Sequence, residues 1–422
     1  MKFSIFNNRI PLSNNTDILF NSLSEESRII PKNMILDVKT MTPEIITEFV
    51  NAGFIIDDNI IEEKIVRESF DKNQNSKHFK LTINPTLNCN FRCWYCYESH
   101  HAQSTMSAET LEKVKNSISF ISNNYDSIEL AFFGGEPLMY FDRLVLPLIE
   151  WTAKKFSLKG RSYEVTFTTN GYLINERIIK SLQPYNIGIS QITLDGGREF
   201  HNKTRVSNKT DSFCTIVDNI RTMASVGMPV LLRINVTKEN INSAYSIPEY
   251  INSFSDTEKS KVQVLIQQVW QDSQNDILDE IWGLYGEFLK IGIIPWPRRF
   301  NFYKHICYAD IKNSAVINYN GKIFKCTAID FDKKEADGEV ESDGTFDISI
   351  PYKVRLSKRL ANRLCPECRI YPVCNGGCSK NIDQAQTRDF CLHPSNAAKD
   401  KVVRNILREQ LHMANLGISW KD

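Results

Sequence analysis

At 422 residues the chain is long enough for two or three domains. Its 42% hydrophobic and 24% charged residues are an ordinary globular composition, and a net charge of +1 gives no field that would draw nucleic acid or an anionic membrane, so neither is expected as a partner. No apolar run reaches membrane-spanning length, and the first residues lack the apolar core of a signal peptide. A cytoplasmic location is therefore expected, and there the 11 cysteines point to metal ligands or catalytic groups rather than disulfides.

Residues 1–77 contain no cysteine and read as a small strand-and-helix module. Strands are predicted at 18–23 and 34–38, with a further one at 28–30. Thr42 suits an N-cap, Pro43 the first helical position and Gly53 the stop, and Ile45, Ile46, Phe49 and Val50 form one apolar face between them. A second helix is expected within 57–70, followed by a polar linker at 72–77.

From Phe79 to about Arg299 strands and helices alternate, the signature of parallel βα units. Strands are predicted at 79–84, 128–133, 163–169, 188–194, 230–236 and 262–268, with helices near 107–123, 141–156, 175–182, 212–226, 242–254 and 276–290. The first strand runs straight into Cys89-Asn-Phe-Arg-Cys93-Trp-Tyr-Cys96, and the second ends in Gly134-Gly135-Glu136-Pro137. Cysteine is the usual ligand of iron–sulfur clusters, and three thiolates on one loop hold three irons of a cubane. No cysteine follows before Cys214, so such a cluster keeps one iron open to a ligand from outside the protein. Closed zinc sites want four ligands, usually in two paired groups, and this spacing fits them badly.

Further polar signals fall at strand ends: Thr168-Thr169-Asn170-Gly171, Thr193-Leu-Asp195-Gly196 and Arg233-Ile-Asn235. Ligands of βα barrels gather at the C-terminal ends of the strands. Each signal also has a plain structural reading, a turn for the Asn-Gly and Asp-Gly pairs and a rim ion pair for Arg233. Glu98, just past the cysteine loop, is either a proton acceptor or a salt-bridge partner. Cys214, among apolar residues of a helix, reads as a small buried hydrophobe.

The last third carries seven cysteines. Cys307 comes first. Asn320-Gly321 marks a hairpin between 314–319 and 322–327, which ends near Cys326. Cys365-x2-Cys368-x5-Cys374-x3-Cys378 follows, then Cys391. Residues 335–345 read as an acidic solvated loop, and 394–417 as a helix with one apolar face.

C-x3-C-x-aromatic-C followed by GGEP resembles the radical S-adenosylmethionine (SAM) superfamily, and the seven later cysteines match the pattern of its SPASM domain. The resemblance implies an α/β fold: a partial (β/α)6 barrel at 78–300, preceded by the N-terminal α+β module and followed by a SPASM domain at 301–391 and a C-terminal helix at 392–422. It makes Cys89, Cys93 and Cys96 ligands of a 4Fe–4S cluster whose open iron is chelated by SAM. It places Tyr95 against the adenine and Gly134, Gly135, Glu136 and Pro137 at the methionyl end. Thr169, Asn170, Arg233 and Asn235 are expected at the ribose and carboxylate. Asp195, with His201 and Arg205, resembles a D-G-x4-H-x3-R pattern of peptide- and protein-modifying relatives, and is expected on the substrate side with Glu98 as a second catalytic candidate.

By the same resemblance Cys307, Cys326 and Cys378 hold an inner auxiliary 4Fe–4S cluster, and Cys365, Cys368, Cys374 and Cys391 an outer one, making three clusters. The inner set is one cysteine short, so its fourth ligand is either Asp310 or a site left open to substrate. The implied chemistry is one-electron cleavage of SAM to a 5′-deoxyadenosyl radical that abstracts hydrogen, which requires an electron donor such as ferredoxin or flavodoxin. The N-terminal module resembles the peptide-recognition modules of ribosomal-peptide maturases. A maturase that cross-links a precursor peptide through a thioether, C–C or C–O bond is thus the leading expectation. A formylglycine-generating sulfatase-maturating enzyme and a non-catalytic iron–sulfur protein that binds a peptide or carries electrons are the alternatives.

Overall fold

The computed structural model describes residues 1–205, 211–296, 304, 306–346, 359–384 and 389–419. The expected boundary at residue 300 lies outside them. The chain divides into two units: 1–76 with 297–312 and 349–422, and 77–296 with 313–348.

In the first unit β1 (Lys2–Phe3) precedes an antiparallel meander of β2 (Asn7–Pro11), β3 (Thr16–Asn21) and β4 (Ser27–Pro31). The expected strand at 34–38 is absent. That apolar segment instead runs through Asp37, which caps a short 3-10 turn at Val38–Thr40, while Met34, Leu36 and Val38 pack against the buried Leu19, Phe49 and Phe54. The helix Pro43–Asn51 starts as its sequence signals require: Thr42 accepts from the Ile45 amide, Pro43 opens the first turn, and Gly53 takes φ +77° just after the end. β5 (Ile55–Ile56) pairs with β1, and the second helix, Glu62–Gln74, starts and ends later than predicted. The C-terminal helix Asn396–Asn415 is capped by Ser395.

The second unit is an α/β fold on a largely parallel sheet. β6 (His78–Ile83), β7 (Ser127–Phe132), β8 (Ser162–Thr169), β9 (Ile187–Leu194), β10 (Val230–Val236) and β11 (Val262–Gln268) pair in sequence, all in parallel. Each pair is joined by one or more crossover helices, beginning with Ala108–Asn124. One face of the sheet is apolar and covered: Leu81, Leu130, Val165, Ile192, Leu232 and Val264 are all fully buried. Beyond β11 lies the short β12 (Ile294–Pro295).

On the other side the sheet continues into the cysteine-rich third of the sequence. β13 (Ser314–Ile317) pairs in parallel with β6, then antiparallel with β14 (Lys322–Phe324), with Gly321 at φ +81° in the turn. Within the stretch expected as a solvated loop, β15 (Gly338–Glu339) adds a last strand against β14, and Val340 is buried. Lys325 is fully buried and its ammonium donates to the Ser314 carbonyl and hydroxyl, both at 2.7 Å. Among the described residues, no helix is long and apolar enough to cross a membrane.

Candidate active site

The cysteine loop leaves the C-terminal end of β6, and its first residues are held against the turn after β7. This contact depends on glycine. A Cβ on Gly134 would lie 2.5 Å from the Thr86 carbonyl oxygen, and one on Gly135 2.2 Å from that of Asn88 and 2.5 Å from that of Leu87. Gly134 also adopts φ +99°, which side-chain-bearing residues rarely take. The amides of Gly135 and Glu136 donate to Thr86 O and Asn88 O at 3.1 and 2.8 Å. Gly135→Ala is therefore expected to push the loop outward and lower the iron taken up on anaerobic reconstitution, as read by iron assay.

Glu136 is fully buried and is a hub of the site rather than part of its surface. Its carboxylate accepts from Leu138 N at 3.0 Å, Thr169 Oγ1 at 2.7 Å and Asn170 N at 2.8 Å. Burial pushes its pKa up, and these three donors oppose that. The carboxylate thus ties the turn after β7 to the end of β8. Asn170 then reaches the cysteine loop, donating to Asn90 Oδ1 at 2.7 Å and lying 3.9 Å from Cys89 Sγ. Pro137 opens the short turn Pro137–Tyr140 and is buried.

Over the strand ends lies a cavity of about 210 Å³, open to solvent. Cys89, Cys93, Cys96, Tyr95, Gly134, Gly135, Thr169, Asn170, Arg233, Asn235 and Glu98 line it, whereas Glu136, Pro137 and Asp195 do not. The thiols sit in a low-dielectric wall. Burial first, then the Glu136 charge, pushes Cys89 up to about 12, and burial raises Cys96 to about 11 and Cys93 in the same direction, with Arg205 acting against all three shifts. Thiols so placed ionise when a metal takes the proton's position. Three sulfurs facing one cavity, with a glycine cradle that holds their loop close to the sheet, fit an iron–sulfur cluster with an exposed side.

Tyr95, expected against the adenine, is anchored through its hydroxyl. Its hydroxyl lies 2.8 and 2.7 Å from the two oxygens of Asp195, receives a hydrogen bond from Arg205 Nη2 at 2.8 Å, and another from Asn235 Nδ2 at 3.1 Å. One donor and two acceptor positions are thereby filled. Arg205 Nε closes the network on Asp195 Oδ2 at 2.5 Å, with the two side chains 8% and 1% exposed. His201 stands behind: its Nδ1 accepts from the Asp195 amide at 3.2 Å, so its other nitrogen carries the proton, and burial holds its pKa well below the ordinary value. Asp195 therefore braces Tyr95 and neutralises Arg205 instead of facing the cavity. Arg233 donates to Asn235 Oδ1 at 2.8 Å and lines the same wall, its pKa lowered by burial.

Glu98 is the carboxylate that does face the cavity. It is 9% exposed, its Oε1 has no hydrogen-bond partner among the described residues, and burial, with Asp330 second, pushes its pKa up to about 8. The following residues are fastened to the segment after Cys326: Tyr97 hydroxyl to Thr327 O at 3.1 Å, Ser99 Oγ to Asp330 Oδ2 at 2.8 Å, and His101 to Asp332. The sequence reading missed Asn90, Trp270 and Gln271. Trp270 and Gln271 directly follow β11, and the rule that ligands gather at strand ends would have found them.

Among the other cysteines, Cys365, Cys368, Cys374 and Cys391 lie in the first unit and close enough for their charges to act on one another. Burial first, then Cys374, Cys368 and Cys391, pushes Cys365 up to about 12. Cys307 and Cys378 belong to that unit and Cys326 to the second. Asp310 is 4% exposed and paired with Arg359, which also donates to Asn375 O and lies over the Phe70 ring at 5.9 Å. A carboxylate so engaged is a poor candidate for a metal ligand. Cys214 sits in the first turn of the helix Ser212–Ser225, its amide bound by Asp211 Oδ1 at 3.2 Å, away from the cavity lining.

Three cysteines lining one cavity at the strand ends of a parallel α/β sheet agree with the comparison of the sequence with protein families. Residues 83–247 match the model of the Radical SAM superfamily, so the chain carries a radical SAM domain. It is 25% identical over 346 residues to a cysteine-type anaerobic sulfatase-maturating enzyme of Clostridium novyi (strain NT), covering 72% of this chain and 89% of that one. The chain spans 59%, 89% and 32% of the lengths of three curated relatives it matches. Native anSMEcpe, solved with bound AdoMet and the Cp18Cys peptide, superposes with a TM-score of 0.59 at 19% identity, covering 80% of this chain and 99% of that one. Streptococcus suis SuiB bound to S-adenosylmethionine superposes at 0.55 and 15% identity, covering 92% and 98%. These two likenesses establish the fold.

Proposed function

We propose that the protein is a radical SAM maturase that cross-links a ribosomally made precursor peptide through a thioether, C–C or C–O bond. When bound by Cys89, Cys93 and Cys96, a 4Fe–4S cluster with SAM on its open iron supplies the hydrogen-abstracting deoxyadenosyl radical. The chain's own groups then have distinct tasks. Asn235, Arg233, Thr169 and Asn170 line the wall where SAM's ribose and carboxylate would lie. Tyr95 is held by Asp195 and Arg205. Glu98 is the proton acceptor, because it alone of the two candidate carboxylates reaches the cavity. Cys307, Cys326 and Cys378, and Cys365, Cys368, Cys374 and Cys391, would hold two auxiliary clusters able to take up an electron from the substrate. With Asp310 committed to Arg359, the fourth position of the inner one is left for substrate. An electron donor of the ferredoxin or flavodoxin kind completes the cycle.

The observation that carries the peptide reading is an uncovered groove on the N-terminal module. Ile10, Ile18 and Ile29 form one row across β2, β3 and β4. The C-terminal helix covers the β2 end, where Ile10 is 1% exposed, and leaves Ile29 at the β4 edge 68% exposed. Leu411 flanks the groove with Arg28, Arg404 and Arg408. An edge strand beside an apolar groove suits an extended peptide, whose backbone extends the sheet. SuiB has been solved with its precursor peptide SuiA.

The likeness to the sulfatase-maturating enzyme favours a second reading, oxidation of a protein cysteine or serine to formylglycine. Mass spectrometry separates the two after anaerobic incubation with SAM and dithionite. A precursor peptide encoded beside the gene is expected to lose two hydrogens and yield linked fragments. A sulfatase peptide that instead loses its cysteine sulfur, with the precursor unchanged, would replace the first reading by the second.

A further inference from the structure

Two exposed aromatic rings at the mouth of the cavity remain unused by this account. Trp270 is 57% exposed and Tyr97 37% exposed, and they stack with centroids 5.6 Å apart and planes at 24°. Both line the cavity that holds the three cysteines. An indole left half in water is ordinarily free to move, yet this one sits on a firmly tied turn. The Val269 amide donates to Val236 O at 2.9 Å, and Gln268 Nε2 holds Asp272 O and Asn275 O at 2.8 and 2.9 Å. Asp272 Oδ2 also accepts from the Lys238 amide at 2.9 Å. Gln271 Nε2 donates to Tyr95 O at 2.9 Å and so fixes the turn to the cysteine loop, while the Tyr97 hydroxyl is held by Thr327 O at 3.1 Å.

We propose that Trp270 and Tyr97 form a pre-built shelf that takes a flat aromatic side chain of the substrate peptide next to the residue that is modified. The inference rests on the peptide reading above. Continuity names the occupant: the shelf is one wall of the cavity, so a segment reaching the cysteines passes over it. Charge narrows the chemistry. Arg233 lines the same cavity and repels a lysine or arginine side chain that would otherwise favour an indole face. Aromatic pairing adds specificity beyond buried area, and rings fixed in advance lose little freedom on binding.

The test uses the full chain, reconstituted anaerobically and saturated with SAM. Binding of blocked tripeptides, acetyl-Gly-X-Gly-amide with X as Phe, Lys or Gly, is measured by calorimetry alongside the precursor. The Phe peptide is expected to bind about fivefold more tightly than the Gly peptide. Trp270→Ala should erase that ratio, and Trp270→Phe should keep most of it. Equal affinities in the wild type, a preference for Lys, or a Phe preference that survives Trp270→Ala would each overturn the shelf. So would a variant that loses SAM affinity with its peptide preference intact, because the indole would then serve the nucleoside. Tripeptides that fail to bind while the precursor binds overturn the shelf alone; if the precursor also fails to bind, the peptide reading falls with it.

Discussion

Replacing Cys89, Cys93 and Cys96 together by Ala is expected to abolish reductive cleavage of SAM while leaving the auxiliary iron in place. The three sulfurs face one cavity on a loop set by the Gly134-Gly135 turn, whereas Cys365, Cys368, Cys374 and Cys391 cluster in the other unit. Iron should fall from about twelve to about eight per chain, the difference being one cubane. The variant should stay folded, because the three cysteines lie on one loop, Cys89 and Cys93 half-buried and Cys96 exposed, and their loss leaves the strands beneath untouched. Deoxyadenosine is quantified by chromatography after addition of dithionite and SAM. If it accumulated at the wild-type rate, these cysteines would not be the site. A drop in iron to about four would mean that the auxiliary sites depend on the first.

Asp195→Leu is expected to destabilise the second unit by about 3–5 kcal/mol, because it strands a buried guanidinium. Arg205 is 7% exposed and has Asp195 as its close anion at 2.5 Å. The Tyr95 hydroxyl would lose its acceptor in the same step. Adding Arg205→Met should recover most of the loss, since removing both charges costs far less than removing one. Thermal unfolding of the single and double variants measures this. Equal stability of wild type and Asp195→Leu would show that the pair does not brace the site. Tyr95→Phe, which keeps the ring and removes only the hydroxyl, should cost about 1–2 kcal/mol by the same assay.

Much of this site was legible in the sequence because the strands alternate apolar buried residues with less buried ones, as in β7, β8 and β11, and end in polar residues. All six predicted strands from 79–84 to 262–268 lie within a residue of β6 to β11 at each end. The segment around Met34 failed by the same logic. Its alternation of half-buried Met34 and Leu36 with exposed Ile35 looks like a strand, but the contacts that bury it come from the helix Pro43–Asn51 and its neighbours, not from a ladder. The pairing of β13 with β6 joins residues more than 230 positions apart in sequence, beyond the reach of any local pattern. Asp195 showed the limit for function. Its place at a strand end was visible, but not that Arg205, ten residues on, would close over it. Asp310 lost its freedom to Arg359 in the same way, at a separation of 49 residues.

The central claim is that the thiolate triad holds a cluster whose open iron binds SAM in this cavity. Electron paramagnetic resonance of the dithionite-reduced, reconstituted protein, recorded before and after SAM is added, tests it most directly. The account predicts that one cluster's spectrum shifts with SAM and that the shifting component is missing from the Cys89, Cys93 and Cys96 triple variant. A wild-type spectrum identical with and without SAM would contradict it.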